Sequence, residues 1–354
     1  MLRARIAVLS VILLGTASTA RAQSSGTPAP STAPSAAPST APAHAAPAAD
    51  AKPAEGEKKK EEERWEVTGD LVLGQTRFDV FGPGLIDAAG QPGISDRPNV
   101  NSFDRTKVSS FSLIPGLQYH WSPRLWLRGR LPVVVGELDS VNNSAESRTA
   151  TNLGNVDLGG TYALIPGEEF QLEGGFDLAL PTAGGSEQPS AADAAKTPTA
   201  RYQYRAIDRF AASRAADIVR GSADSGVFEP GRLGLVPRIS ARIQFGKLHL
   251  RPTIKVENML DVTGDSAHTY VGEIVAGVRA GYRIASFLEP GFNVWTNATI
   301  LQQDNRKLNM GVVEPYLRFP NKVITPTLGV VIPFAGQVAD DSTLAFRLGL
   351  LWEL

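Results

Sequence analysis

From Trp65 to the C-terminus, apolar and polar residues take turns in segments of ten to fifteen residues separated by turn residues. A side-chain period of two belongs to β-strands, whose successive residues point to opposite faces. The last segment shows it most plainly. Leu344, Phe346, Leu348, Leu350, Trp352 and Leu354 share one face, and Ala345, Arg347, Gly349, Leu351 and Glu353 share the other. In the segment 247–260, Leu248, Leu250, Pro252, Ile254 and Val256 oppose His249, Arg251, Thr253, Lys255 and Glu257. A soluble sandwich or propeller built from such strands would bury those charges unpaired, at high cost.

Twelve such segments begin near Trp65, Lys107, Arg124, Leu153, Glu168, Arg232, Lys247, Val271, Phe287, Asn309, Lys322 and Thr343. Their connections alternate between tight turns and long loops, the latter at 81–106, 139–152, 184–231 and 261–270. Membrane barrels show this asymmetry, with short periplasmic turns and longer outer loops. Hydrocarbon offers no water to a sheet edge, so a membrane-spanning sheet must close on itself. The fold expected is therefore all-β: a closed antiparallel transmembrane β-barrel of about twelve strands, residues 65–354, with apolar residues toward lipid and charges toward the lumen. An even strand count returns both ends of the barrel to the periplasm.

The N-terminus reads as an export signal over residues 1–22. Arg3 and Arg5 precede an apolar core at 6–14 and a small-x-small site at Ala20-Arg21-Ala22. Residues 23–64 read as a periplasmic linker, Pro/Ala/Ser/Thr-rich up to position 54 and then densely charged, with no apolar face. Such an arm could reach peptidoglycan or a periplasmic protein. The chain has no cysteine, which excludes disulfides and thiolate sites. Its 35 Lys+Arg balance 36 Asp+Glu, which argues against nucleic-acid binding.

Alternation places Arg128, Arg130, Arg238, Arg242, Arg251, Lys255, Arg279, Arg283 and Arg347 on the lumen side. Asp157, Glu169, Glu173, Asp177, Glu257, Glu273 and Glu353 share that side. The acids concentrate on the fourth and fifth strands, so a transverse field across a mixed-charge lumen is expected. The same charges could instead pair and fill a narrow lumen, since twelve strands fall between filled eight-strand and open sixteen-strand barrels. Within the loop 184–231, Thr197-Pro198 and Gly221 bracket a helix that carries Arg201, Arg205, Arg209, Arg214 and Arg220. That helix could lie on the rim, over the mouth or inside the barrel. Aromatics near strand ends, among them Trp65, Tyr119, Trp121, Phe170, Tyr282, Phe319 and Trp352, suit the two membrane interfaces.

Two resemblances add to this. Arg347, Gly349, Trp352 and Leu354 end the chain in a pattern that resembles the C-terminal signal read by barrel-assembly machinery, although Leu354 stands where Phe is usual. The run 116–185 holds Leu131-Pro132, then Leu153-Gly154-Asn155-Val156-Asp157-Leu158-Gly159, then Leu180-Pro181-Thr182-Ala183-Gly184. It resembles the transporter-type barrels of the MetA-pathway phenol-degradation family, with Asn155 in place of the usual Asp and Ala183 inserted. Membership would imply a Gram-negative outer-membrane, porin-like transporter for small, partly hydrophobic molecules. A non-transporting structural or adhesive barrel is the alternative. Catalysis is not expected: His44, His120, His249 and His268 are poorly placed for a lipid-facing nucleophile pair. No nucleophile elbow or phosphate loop occurs, and no cofactor or metal is expected.

Overall fold

The computed structural model describes residues 64–78, 106–139, 147–185, 200–263, 269–301, 310–335 and 343–353. The export-signal and linker readings therefore lie outside the described residues, except that Arg64 already opens the first strand. The chain runs β1 (Arg64–Phe78), β2 (Thr106–Ser122), β3 (Leu125–Arg130), β4 (Val133–Asp139), β5 (Arg148–Leu153), β6 (Val156–Ile165) and β7 (Phe170–Leu180). Two helices follow, α1 (Ala200–Val219) and α2 (Ser225–Phe228). The remaining strands are β8 (Arg232–Phe245), β9 (Leu248–Asp261), β10 (Tyr270–Tyr282), β11 (Glu289–Leu301), β12 (Met310–Arg318), β13 (Ile324–Ala335) and β14 (Leu344–Glu353).

All pairings are antiparallel, and β1 pairs with both β2 and β14, so the sheet closes on itself, while β5 is paired with β4 alone. Fourteen segments make twelve spans. β2 carries β3 and β4 end to end on one flank, and these pair onward with β6 and β5 respectively. The two interrupted spans break at the quoted motif: Pro132 has no N–H to donate, and Gly154-Asn155 steps out of the ladder. The break is bridged, since Leu131 N–H donates to Pro115 O and Gly154 N–H to Pro132 O. The fourth span begins at Arg148 and the third ends at Asp139, so the loop expected at 139–152 shrinks to 140–147.

The wall has the expected two faces. Leu117, Leu158, Phe176, Ile239, Phe292, Leu317, Leu328, Phe346 and Leu350 are exposed on the outside, as lipid requires. At the short-turn end, Trp65 stacks on Tyr119 with ring centroids 4.5 Å apart, and Tyr119 meets Trp121 edge-on at 6.1 Å. Trp121, Tyr282 and Phe287 stand exposed there, the position of an interfacial aromatic girdle.

The inner face departs from a purely polar lumen. Toward the long-loop end it turns apolar, with Val72, Val108, Val134, Leu138, Val275, Val312, Val331 and Ala345 all buried. These residues form two clusters, and α1 contributes to both.

Candidate functional site: a plugged barrel interior

The sequence ARYQYRAIDRFAASRAADIV suits a helix because alanine and arginine carry little helical cost. Its end is sharp. Gly221 adopts φ +76°, its N–H donates to Ile218 O, and Ser222 N–H reaches back to Asp217 O, the paired bonds of a Schellman cap. The Gly221 stop is thus where the sequence placed it, while the Thr197-Pro198 start lies outside the described residues.

The helix enters the barrel. Ala211, Ala212, Ala215, Ala216 and Val219 are wholly buried, and so are Ser213 and Asp217 on other sides of the helix. Ala211, Ala212, Ala215 and Ala216 pack with Val108, Val134, Leu138 and Ala150 of β2, β4 and β5. Ile218 and Val219 pack with Val72, Val275, Trp295, Val312, Val331 and Ala345 across the opposite wall. Contact is close enough that a Cβ built at Gly136 would sit 2.7 Å from Ala212 Cβ. Small residues on both sides are what lets a helix fit inside a twelve-stranded wall.

Beyond the helix, a polar turn is pinned to strands all round. The Arg220 guanidinium pairs with Asp70 of β1 and donates to Ser112 of β2. Trp295 Nε1 donates to Gly221 O at 2.9 Å, and Asn297 Nδ2 to Ser222 O at 2.9 Å, both from β11. Lys255 of β9 donates to Ala223 O and pairs with Asp224, which also faces Arg130 of β3 at 3.6 Å. Gly226 N–H donates to Glu257 at 2.8 Å. The returning chain is held by Asn155, whose amide donates to Gly226 O, Glu229 O and Arg232 O at 2.9, 2.7 and 3.3 Å and accepts from Ala183 N–H at 3.0 Å. An ionised aspartate at this position could not donate. A cavity of about 10 Å³, room for one water, remains among Arg130, Asp157, Asp177, Asp224, Lys255 and Glu257.

Inside the helix, Asp217 accepts from Ser222 and Ser225 hydroxyls and from Arg214, which also binds Glu229. Burial pushes its carboxyl up to about 8, against the pull of Arg214 and helped by Glu273, Glu229 and Glu257.

Below the plug, toward the short turns, ion pairs line the wall. Arg128 grips Asp177 through two bonds of 3.1 and 2.7 Å, Arg238 pairs with the same carboxylate, and Arg130 meets Asp157 at 2.7 Å. Arg242 and Arg251 converge on Glu173 at 2.6 and 2.9 Å. Arg347, in the C-terminal strand, is bound inside to Asp70 at 2.7 Å and Glu314 at 3.2 Å. Gly349 lies opposite Thr327, Trp352 is exposed, and Leu354 lies outside the described residues. Arg279 lies over the Tyr316 ring, 4.4 Å from its centroid. Acids and bases thus pair locally, on adjacent strands or strands one apart, so the charges form local pairs around the wall. Glu169 sits in the turn before β7.

Of the loop-helix arginines, Arg209 is exposed, and Arg214 is turned into the plug's own ion pairs. The side chains of Arg201 and Arg205 lie outside the described residues. Sequence reasoning passed over Asp70, Asp224, Trp295 and Asn297, and met Asn155 only as a replacement for the usual Asp of a resembled motif. Asp70 was within reach, being an inward position of the first strand. The plug's partners were not, since no local pattern tells which inward residues a distant loop will meet.

A closed twelve-stranded wall, lipid-compatible outside and ion-paired inside, defines the class: the fold is that of an outer-membrane β-barrel. By sequence, no protein family and no curated protein matches the chain. In structure it is similar to an outer membrane channel from Pseudomonas putida F1, with a TM-score of 0.53 at 9% identity over 82% of this chain and 95% of that one. The β domain of the Bordetella autotransporter BrkA gives 0.45 at 12% identity, covering 83% of this chain and all (100%) of that one. The NanC porin gives 0.42 at 10% identity over 80% of this chain and 100% of its own. At 9% identity the likeness to the Pseudomonas channel is one of fold.

Proposed function

We propose that the protein is a gated outer-membrane channel for passive passage of small, partly hydrophobic solutes, closed here by the 200–231 segment folded into its mouth. The observation that carries this reading is the division of the inner wall. Its long-loop end is an apolar socket shaped to one helix, and its short-turn end is charged and open enough to leave Arg242 and Arg251 about half exposed. Here the occlusion is delegated to the segment between β7 and β8, held by ion pairs and hydrogen bonds that water can replace. The resemblance to the MetA-pathway phenol-degradation barrels supports the solute class, and the export signal and linker support an arm in the periplasm.

The test is conductance and solute leakage in planar bilayers and liposomes for the full chain and for a variant lacking 198–221. The expected result is a small or intermittent current from the intact chain and a large steady one from the deletion. Silence from both, with the barrel shown folded by heat-modifiable gel migration, would overturn the channel reading in favour of a structural or adhesive role.

A further inference from the structure

We propose that the short-turn half of the barrel interior holds a binding site for a small oxyanion of the carboxylate type, centred on Arg279. The site is independent of whether solute crosses the plug. Five arginines lie toward this end: Arg242 on β8, Arg251 on β9, Arg279 on β10, Arg318 on β12 and Arg283 in the turn after β10. Two buried carboxylates answer them: Glu173 takes Arg242 and Arg251, while Glu289 faces Arg283 at 3.7 Å, Arg318 at 3.8 Å and His249 at 3.5 Å. Five guanidiniums against two carboxylates leave three positive charges uncompensated, and Arg279 alone of the five has no carboxylate partner among the described residues.

Its setting is built. Tyr316 lies against a glycine pair, Gly281 and Gly291, directly opposite each other on β10 and β11. A Cβ at either would come within 2.7 Å of the tyrosine hydroxyl. The hydroxyl donates to Ala280 O at 3.2 Å, which fixes the ring flat on the wall. Arg279 rests on that ring, and stacking leaves the guanidinium edge, with its fork of N–H donors, free for a planar anion. Arg251 is the direct cross-strand partner of Arg279, and Arg318 lies two residues beyond Tyr316 on β12. Like charges set opposite each other on a sheet destabilise it, and a bound anion between them removes that penalty. A carboxylate fits because two parallel N–H···O bonds match its geometry.

The experiment is ¹⁹F line broadening of trifluoroacetate by the full chain, folded in detergent micelles at fixed ionic strength, against empty micelles. Wild type should broaden the line, with competition by acetate and none by choline at equal concentration. Arg279→Gln should weaken binding about tenfold or more, as expected for a lost charge-assisted bidentate contact. Arg279→Lys should fall between, and Arg124→Gln, on an exposed turn, should match wild type. Arg318→Gln guards against a folding artefact, because it too should weaken binding in a barrel whose gel migration stays heat-modifiable. Wild type no better than empty micelles, or Arg279→Gln equal to wild type, would overturn the site. Either result leaves the conductance test untouched.

Discussion

Asn155→Asp changes one atom and should loosen the plug. The amide has two N–H groups, and in the fully buried site they serve three carbonyls, two of them at 2.9 and 2.7 Å. A carboxylate keeps only the bond from Ala183 N–H and turns its remaining lone pairs toward carbonyl oxygens. Two lost hydrogen bonds, each worth about 1 kcal/mol net, set a floor near 2 kcal/mol. Buried carbonyls left unpaired raise this toward about 4 kcal/mol. Protonating the new carboxyl would restore at most one donor. The opened state of the 210–232 segment should then be populated about 30-fold more at the floor value, since about 1.4 kcal/mol is tenfold. Amide hydrogen exchange read by mass spectrometry on reconstituted protein measures this directly. Protection should fall over 210–232 and hold over β9 to β14. Exchange within twofold of wild type would refute the claim that Asn155 staples the plug. A loss spread evenly over the barrel would instead mean that the residue supports the broken strands.

Gly136→Val should expel α1, because its Cβ meets Ala212 at 2.7 Å, and conductance should rise while the barrel stays folded. Asp70→Asn leaves Arg220 and Arg347 without their shared carboxylate, and one broken buried pair costs about 3–5 kcal/mol. The thermal midpoint should drop and plug protection should fall with it. Docking should weaken as pH rises. The Asp217 carboxyl moves from an ordinary 3.8 to about 8 in the plug, so docking is strongest below pH 4, where both states hold the proton. That stabilisation is lost as pH climbs through 8. Exchange of 210–221, corrected for intrinsic rate, should therefore quicken from pH 5 to 9, and Asp217→Asn should flatten the trend.

The barrel was legible because its cause is local. A strand between lipid and lumen must alternate, and the alternation from Trp65 onward marks spans, faces and closure without any knowledge of neighbours. Spans were displaced only where the chain breaks its own ladder, at Pro132 and Asn155, since a broken strand reads as two short segments and a loop. The helix was legible for a similar reason, its Gly221 stop being written in the local chain.

What alternation could not convey is which inward residues are solvent-facing and which form a socket. Val72, Val134, Val275 and Val331 occupy the same inward positions as the arginines, and only the folded helix explains them. Arg214 and Arg220 gave the helix a basic look, yet both are spent on carboxylates of the plug and the wall. By itself the sequence determined a closed, membrane-compatible barrel, because the pattern of each strand answers to solvents on its two sides. Only the tertiary structure decided that the barrel is plugged. The contacts that plug it join Asp70, Arg130, Asn155, Lys255 and Trp295 to one short turn, and pairing across such distances leaves no periodic trace along the chain.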